Sequence, residues 1–455
     1  MTRKYDVVVL GGGSAGEVVA GRLADAGLTV AVVESSLVGG ACSYWACMPS
    51  KALLRPGAVI SQARRVPGAA AAMSGSISLS QALQQRDRMA SHWDDRRQEQ
   101  WLEQHGVDLV RGRGRLDGER RVLVGGNLIL EATRAVVVAT GSEPIMVPVA
   151  GADEVDLWDN RAVTSADRAP RRMLIIGGGS VGVESGQAWY RLGSEQVTIV
   201  ERAERLLSTE EAFAGAHLEQ AFGDEGIEVM TGTDVLEMRR ADEGAVEVCL
   251  SDESLRTVDV VVSAVGRRAS TADIGLETID LEPGEPIVVD SWLRSLEHND
   301  WLFAVGDVNG REPLTHMGKY EARIAADQIL GRGRDARSGR RAVPRVVFTD
   351  PIVAAVGMTE ADAVESGLDV ETRRVSISEQ AEAALWGEDV EGAGLFVIDT
   401  EASCLVGATF TGPAPLAEML LGAQVAIVGR VPLDTLRHVA PQFPTFSEVW
   451  LELVS

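Results

Sequence analysis

Two of the four cysteines in this 455-residue chain, Cys42 and Cys47, stand together in the stretch Gly39-Gly40-Ala41-Cys42-Ser43-Tyr44-Trp45-Ala46-Cys47-Met48-Pro49-Ser50-Lys51. Four intervening residues let one turn of chain bring two Cα atoms within the roughly 4.4 to 6.8 Å that a disulfide accepts. A helix starting here would aim free N–H groups at the sulfurs and favour the thiolate, which is the condition for a reactive cysteine. Such a pair can be reduced and reoxidised repeatedly. The alternatives are two inert core cysteines or half of a zinc site. The second ligand pair that structural zinc needs is missing, and no metal site is expected.

A nucleotide-binding pattern stands directly upstream and must position this pair. Tyr5 to Leu10 reads as a buried strand and Gly11-Gly12-Gly13-Ser14-Ala15-Gly16 as a turn. A helix through Val18, Val19, Leu23 and Leu28 comes next, and then a strand from Thr29 to Val33 that ends on Glu34. Gly11, Gly13 and Gly16 let the backbone approach a pyrophosphate at the helix N-terminus, and an acid about 20 residues on accepts from a ribose hydroxyl. The unit recurs as a strand Met173 to Ile176, the turn Gly177-Gly178-Gly179-Ser180-Val181-Gly182, a helix through Trp189 and Leu192, and a strand Val197 to Val200 ending on Glu201. Two such turns imply two dinucleotides. Glu201 favours NADH, since its carboxylate repels a 2′-phosphate. Arg202 and Arg205 could accommodate that phosphate instead, so NADP(H) stays open.

Between and after the turns, the pattern supplies further strand ends. The residues around Val122 to Leu130 read as a small antiparallel meander, and Ala135 to Ala139 as an apolar strand closing on Thr140-Gly141-Ser142. Val258 to Ala264 ends on Gly266-Arg267-Arg268. Trp301 to Val305 ends on Gly306-Asp307, where an aspartate in a glycine turn suits sugar or ribitol hydroxyls, and a helix N-cap role is the plain alternative. Leu314-Thr315-His316 opens a helix through Ile324 and Ile329. Gly331 to Arg341 reads as a Gly- and Arg-rich linker. From Val343 the pattern changes to strands (Val346 to Phe348, Val353 to Val356, Leu395 to Ile398, Cys404 to Phe410) and helices near Glu360 and over Pro415 to Val428, an α+β domain for assembly.

The formal charge of −24, from 43 Lys+Arg against 67 Asp+Glu, argues against nucleic acid or an anionic membrane as partner. No apolar run reaches the roughly 18 to 20 residues that span a bilayer, and no signal-peptide pattern is found, so a cytoplasmic location is expected. Four cysteines do not make a disulfide scaffold, and in a reducing compartment a close pair points to catalysis.

Taken in order, these residues resemble the class I pyridine nucleotide-disulfide oxidoreductases, which include dihydrolipoamide dehydrogenase, glutathione reductase and mercuric reductase. The matching motifs are G-x-G-x-x-G, G-G-x-C-x4-C-x-P-S-K, A-T-G, a second G-x-G-x-x-G, G-R-R, G-D and P-T-x-S-E, and they span essentially the whole chain. The resemblance implies an α/β fold with two Rossmann-like dinucleotide-binding domains and a C-terminal α+β dimerisation domain. It implies FAD-binding residues 1–148 and 269–338, NAD(P)-binding residues 149–268 and a dimerisation domain at 342–455. FAD would use Gly11, Gly13, Ser14, Ala15, Gly16, Glu34, Gly40, Ala41, Lys51, Gly114, Thr140, Gly141, Ser142, Asp307, Leu314, Thr315 and His316. The nicotinamide dinucleotide would use Gly177, Gly179, Ser180, Val181, Gly182, Glu201, Val235 and Gly266. Cys47 would lie against the flavin, Cys42 would exchange with substrate, and Lys51 paired with Glu184 would face the flavin N5 edge. Glu448 would come from the partner subunit of a homodimer whose active sites are shared.

One departure bears on substrate. Where the family's disulfide reductases place a histidine before P-T, this chain has Phe443. That histidine takes a proton from the attacking thiol and protonates the leaving one, a role worth about 10²- to 10⁴-fold. Of the six histidines only His438 lies near, and it reads as a surface or packing residue. Tyr44 could hold a proton near the sulfurs, and packing beside Trp45 is its plain alternative. The leading expectation is a route from NAD(P)H through FAD and the Cys42/Cys47 disulfide to a small-molecule acceptor other than an ordinary glutathione- or lipoamide-type disulfide. The rivals are direct transfer from flavin to a quinone, dye or oxygen, reduction of a metal ion, and a flavin redox sensor without efficient turnover. No cysteine follows Cys404, so the added C-terminal pair of mercuric reductase is absent.

Overall fold

Val7, Val8 and Val9 are all fully buried in the strand Thr2–Leu10, so both of its faces are covered, as a continuous β-branched run in a parallel sheet requires. The computed structural model describes residues 1–333, 336 and 342–455. Most of the linker expected at 331–341 therefore lies outside the described residues. The described chain divides into two units: residues 1–49, 86–145 and 266–337, and residues 50–85, 146–265 and 338–455.

In the first unit the parallel order is Val107–Arg111, Val30–Glu34, Thr2–Leu10, Leu128–Val138, Leu302–Ala304. Val7 stands opposite Val30 and Val9 opposite Val32. The antiparallel strands Gly114–Leu116 and Arg121–Val124 extend the sheet from the first half of Leu128–Val138. The sequence pattern separated a meander near 122–130 from an apolar strand at 135–139. They share one eleven-residue strand, because its first residues, 128–131, pair antiparallel with Arg121–Val124 while its last, 136–138, pair in parallel with Leu302–Ala304. Helices Ser14–Asp25 and Thr315–Ile329 belong to this unit.

The second unit repeats the parallel arrangement in the order Glu228–Met230, Gln196–Val200, Arg172–Ile176, Val260–Ser263, Leu157–Trp158. A three-stranded meander, Val235–Arg240, Val246–Leu250 and Leu255–Val258, escaped the sequence pattern. The C-terminal sheet is antiparallel, in the order Pro344–Val347, Ile352–Gly357, Cys404–Gly412, Ala393–Asp399, Val370–Ser376. Its edge strand Val370–Ser376 was also missed. It carries Glu371, Arg373 and Arg374, charges that suit an edge and hide a strand from hydrophobic patterning. Helix Leu416–Gly429 buries Leu416, Met419, Leu420, Ala423 and Ile427 in the core of this domain.

Candidate active site

Cysteine placement begins at the glycines before them. Gly12 carbonyl accepts the N–H of Gly39 at 2.8 Å, and a Cβ on Gly40 would stand 2.8 Å from the Gly13 Cα. Gly39 and Gly40 both adopt positive φ, so the chain can press this close and turn at once into helix Gly40–Tyr44. The buried Asp95 accepts from Val38 N–H at 2.7 Å and from Arg111, fixing the approach to the turn. Helix Cys47–Arg65 comes next. Tyr44 is fully buried, packs beside Trp45 and donates its hydroxyl to the Val38 carbonyl at 3.0 Å, so it is a packing residue.

Cys42 and Cys47 are both thiols here and hydrogen-bond to each other. That bond, with burial second, pushes the Cys42 thiol strongly up, so Cys42 keeps its proton and donates it toward Cys47. The Cys47 Sγ lies 3.3 Å from Thr315 Oγ1, the first residue of helix Thr315–Ile329. Thr315 and Lys319 pull the Cys42 thiol the other way. Leu314 and His316 flank Thr315 at the start of the same helix.

The turn Gly11–Gly16 fits a dinucleotide. No side chain caps helix Ser14–Asp25, which leaves its first N–H groups, at Ser14 and Ala15, for an anion. A Cβ on Gly16 would sit 2.0 Å from the Gly11 carbonyl oxygen, and the space beside Gly13 is open but for the Gly40 Cα at 3.9 Å. Glu34 accepts from Gly12 N–H and Ser36 N–H, both at 2.7 Å. Asp307 accepts from Ser142 Oγ at 2.5 Å and from Arg267 at 3.2 Å on one oxygen. The other has no hydrogen bond among the described residues. It does not cap the turn Asp307–Asn309 that it begins. Thr140 donates to the Ser270 carbonyl, Gly141 turns at positive φ, Ala41 lies in the first cysteine helix, and Gly114 packs where a Cβ would strike Leu10 and Val33.

In the second unit, Gly177, Gly179, Ser180, Val181 and Gly182 form a matching uncapped turn, and Glu201 accepts from Gly178 N–H and Ala203 N–H at 2.6 and 2.7 Å. Arg205 donates its guanidinium to the carbonyls of Leu207, Ser208 and Glu210, while Arg202 is exposed. Val235 buries its side chain in the core of the meander and stands opposite Leu250 in its ladder. Gly266, in the first unit, has φ +128°. The Lys51 ammonium donates to Glu184 at 2.7 Å and stands 5.0 Å from the Phe348 ring centre. The second Glu184 oxygen accepts Phe348 N–H. Near the C-terminus, Phe443 is 76% exposed, and Glu448 buries an oxygen that has no hydrogen-bond partner among the described residues.

Two buried or half-buried acids of the first unit were not singled out by the sequence. Glu321 is buried on helix Thr315–Ile329 and accepts from Gly306 N–H and Asn309, both at 2.8 Å, so it holds the turn that presents Asp307. An acid on the apolar face of an otherwise regular helix was the available signal. Glu17, in the first turn of helix Ser14–Asp25, is the other. Burial pushes its carboxyl up to about 7 against the pull of Lys319.

Among the described residues no helix is long and apolar enough to cross a membrane, and no group of three or more His, Cys, Asp or Glu side chains is arranged to hold a metal. Residues 5–326 match the family described as pyridine nucleotide-disulphide oxidoreductase, and residues 343–454 match its dimerisation domain, which supports a homodimer. The chain is similar to dihydrolipoyl dehydrogenase 3 of Pseudomonas aeruginosa, 32% identical over 98% of this chain and 97% of that one. It is similar to a mercuric reductase of Staphylococcus aureus, 29% identical over 98% of this chain and 81% of that one. Among solved structures it is similar to the HOCl-induced flavoprotein disulfide reductase RclA from Escherichia coli, with 26% identity, a TM-score of 0.85 and coverage of 98% and 99%. Members of this family use FAD and NAD(P)H. The two uncapped glycine turns, the cysteine pair and the end-to-end match make this chain a class I pyridine nucleotide-disulfide oxidoreductase.

Proposed function

We propose that this enzyme passes electrons from NADH through FAD to the Cys42/Cys47 pair and on to a small-molecule acceptor that is not an ordinary glutathione- or lipoamide-type disulfide. The observation that carries the reading is the cysteine pair itself: two thiols hydrogen-bonded to each other, with Thr315 at 3.3 Å from Cys47. FAD would supply a centre that accepts a hydride from a nicotinamide and delivers two electrons to a disulfide.

Residues 1–148 and 269–338 are assigned to FAD, 149–268 to the nicotinamide and 342–455 to the dimer. Gly11–Gly16 and Glu34 would hold the first dinucleotide, with Asp307 on the ribitol. Gly177–Gly182 and Glu201 would hold the second. NADH is favoured because Glu201 closes its strand as an acid and Arg205 is occupied by loop carbonyls. Lys51, held by Glu184, is assigned to balance the negative charge of reduced flavin.

Cys42 retains its proton and donates to Cys47, which suits Cys42 as the thiol that exchanges with the acceptor and Cys47 as the thiol kept toward the flavin. Leu421, Val425 and Val428 expose an apolar stripe on helix Leu416–Gly429, a face that a second copy would cover. Phe443 and Glu448 would reach the partner's site, and Phe443 brings no acid-base group to it. An acceptor with a low-pKa leaving thiol, or with no thiol to protonate, fits that surface.

Anaerobic titration with NADH tests the route: a long-wavelength absorbance band is expected when the pair is reduced beside the flavin. Changing both cysteines to Ser separates this reading from direct flavin transfer. Full retention of acceptor reduction in that variant would defeat it.

A further inference from the structure

The segment that delivers the two thiols to the first glycine turn is gripped on both sides of one residue. Asp95 accepts the Val38 N–H at 2.7 Å, and the Tyr44 hydroxyl donates to the Val38 carbonyl at 3.0 Å. Arg111 joins Asp95 to the Ser36 carbonyl. Val38, Tyr44 and Asp95 are buried, so water does not compete for the two bonds on Val38. Burial, with the Asp95 charge next, pushes the Tyr44 hydroxyl up, so it stays a donor at neutral pH. Cys42 lies in the loop from Val38 to Tyr44, whose ends that hydroxyl ties together, and Gly40 within the loop rests against Gly13.

Two local costs mark Asp95 as placed for this contact. It stands at the N-cap of helix Arg96–Gln104, where an aspartate ordinarily accepts from its own helix, yet its side chain makes no capping bond and reaches Val38 instead. The turn before it runs through Ser91, His92 and Trp93 at φ +50°, +51° and +56°, three successive non-glycine residues in the left-handed region. The chain thus forgoes a cap and holds a strained turn on either side of the carboxylate that grips Val38. The stability of that helix alone would favour the opposite choice.

We propose that Asp95, acting with Arg111 and Tyr44 through Val38, is a positioning residue of the cysteine pair: it holds Cys42 where the disulfide closes and thereby sets the pair's reduction potential. In the oxidised enzyme the S–S bond itself restrains the loop. In the reduced enzyme the grip on Val38 takes over that restraint and keeps the two thiols within hydrogen-bonding reach of each other. Releasing the grip opens to the dithiol conformations that the disulfide cannot share. Closure then costs more ordering, and the potential rises. The inference rests on Cys42 and Cys47 being the redox pair.

The test equilibrates FAD-loaded enzyme, without oxygen, in dithiothreitol buffers of graded reduced-to-oxidised ratio and counts free Cys42 and Cys47 by alkylation and mass spectrometry. In each exchange the protein disulfide gains two electrons and two protons and opens to two thiols, while dithiothreitol loses them and closes to its cyclic disulfide. Asp95→Ala should reach half-reduction at an about tenfold lower ratio, about 30 mV for a two-electron couple. Asp95→Asn keeps an acceptor for the Val38 N–H and should recover part of that shift. Tyr44→Phe should show a shift of about threefold in the same direction, within the range of one neutral hydrogen bond. Midpoints that coincide with the parent's, or move the other way, overturn the proposal even where thermal stability falls, because a merely structural grip would weaken the fold and leave the potential unchanged. If Asp95→Ala fails to fold, the Tyr44→Phe midpoint decides in the same terms. A parent in which Cys42 and Cys47 do not open together in one two-electron step would instead defeat the proposed electron route, and this proposal with it.

Discussion

The two glycine turns are nearly alike in themselves and differ greatly in the segment of chain that packs back onto each. Gly11 has φ +106° and Gly177 φ +112°. A Cβ on Gly16 would meet the Gly11 oxygen at 2.0 Å, and one on Gly182 the Gly177 oxygen at 1.9 Å. Glu34 and Glu201 each accept two backbone N–H groups, one from the turn and one from two residues downstream. The chain then returns to each turn's second glycine differently. Gly12 receives Gly39, at the head of the cysteine helix, whereas Gly178 receives Leu207, in a loop that Arg205 binds through three carbonyls. One return delivers two thiols and the other delivers none. The cradle is generic to a dinucleotide, and the chemistry is attached by the segment that comes back to it.

The sharpest way to break this comparison is to remove the thiols that only the first return carries. Cys42→Ser or Cys47→Ser should lower acceptor reduction at least about 10³-fold, because the redox bond cannot form. NADH-driven bleaching of bound FAD should change by less than about threefold, since neither cradle is altered. Stopped-flow absorbance for the first half of the cycle and steady-state assay for the second separate the two.

A second pair of variants asks whether the cradles are as equivalent as they look. Gly16→Ala and Gly182→Ala each force a methyl group against a carbonyl oxygen, an overpacking worth about 1–3 kcal/mol, or roughly tenfold to hundredfold in affinity. Gly16→Ala should lose FAD and keep NADH binding, and Gly182→Ala should do the reverse. Flavin absorbance of the purified enzyme and NADH titration measure both, and loss of the same ligand from both variants would refute the assignment of one dinucleotide to each turn.

Legibility in the sequence obeys the same contrast. A glycine turn between an apolar strand and a helix reports backbone geometry directly, so both cradles and their parallel strands could be read from residue order. The cysteine stretch was legible from the spacing of its two thiols, which fits one turn of chain, while the positive φ of Gly39 and Gly40 that brings it onto the first cradle emerged only in the structure. Edge and meander strands were not legible: Val370–Ser376 is rich in charge, and Val235–Arg240 has exposed Leu236 and Glu237 between its buried positions. Side chains brought together over long separations were also hidden. Lys51 and Glu184 are 133 residues apart, and only the family resemblance suggested pairing them. Glu17 and Glu321 read as ordinary helix acids until burial and their neighbours were seen.

Coenzyme choice sharpens the comparison at the two acids. Glu201→Gln keeps the size of the side chain and removes its charge. NADH affinity should fall by roughly tenfold, the lower range for a hydrogen bond to a charged group, while NADPH binding holds or improves. The matching Glu34→Gln should leave the NADH to NADPH ratio unchanged. If Glu34→Gln shifted that ratio, the assignment of cofactors to turns would be reversed.

The smallest expected effect concerns Glu321, which holds the turn before Asp307 through Gly306 and Asn309. Burial pushes its carboxyl from the ordinary 4.5 up to about 7, although Gly306 N–H and Asn309 pull it down. The folded value lies above the unfolded one, so between about pH 4.5 and 7 the folded chain keeps a proton that the unfolded chain has released. Unfolding free energy should therefore fall as pH rises through that window, by up to about 1.4 kcal/mol per pH unit for this group, and stop changing above pH 7. Glu17 contributes a second slope of the same sign. Glu321→Gln keeps an acceptor for Gly306 and removes the titration, so its curve should be flatter than the parent's by the slope of one group. Urea unfolding of the holoenzyme at pH 5, 6 and 7, monitored by FAD fluorescence on release, measures this directly. Parallel curves for the two proteins would mean that Glu321 is ionised throughout, and that the turn presenting Asp307 is held by a charge.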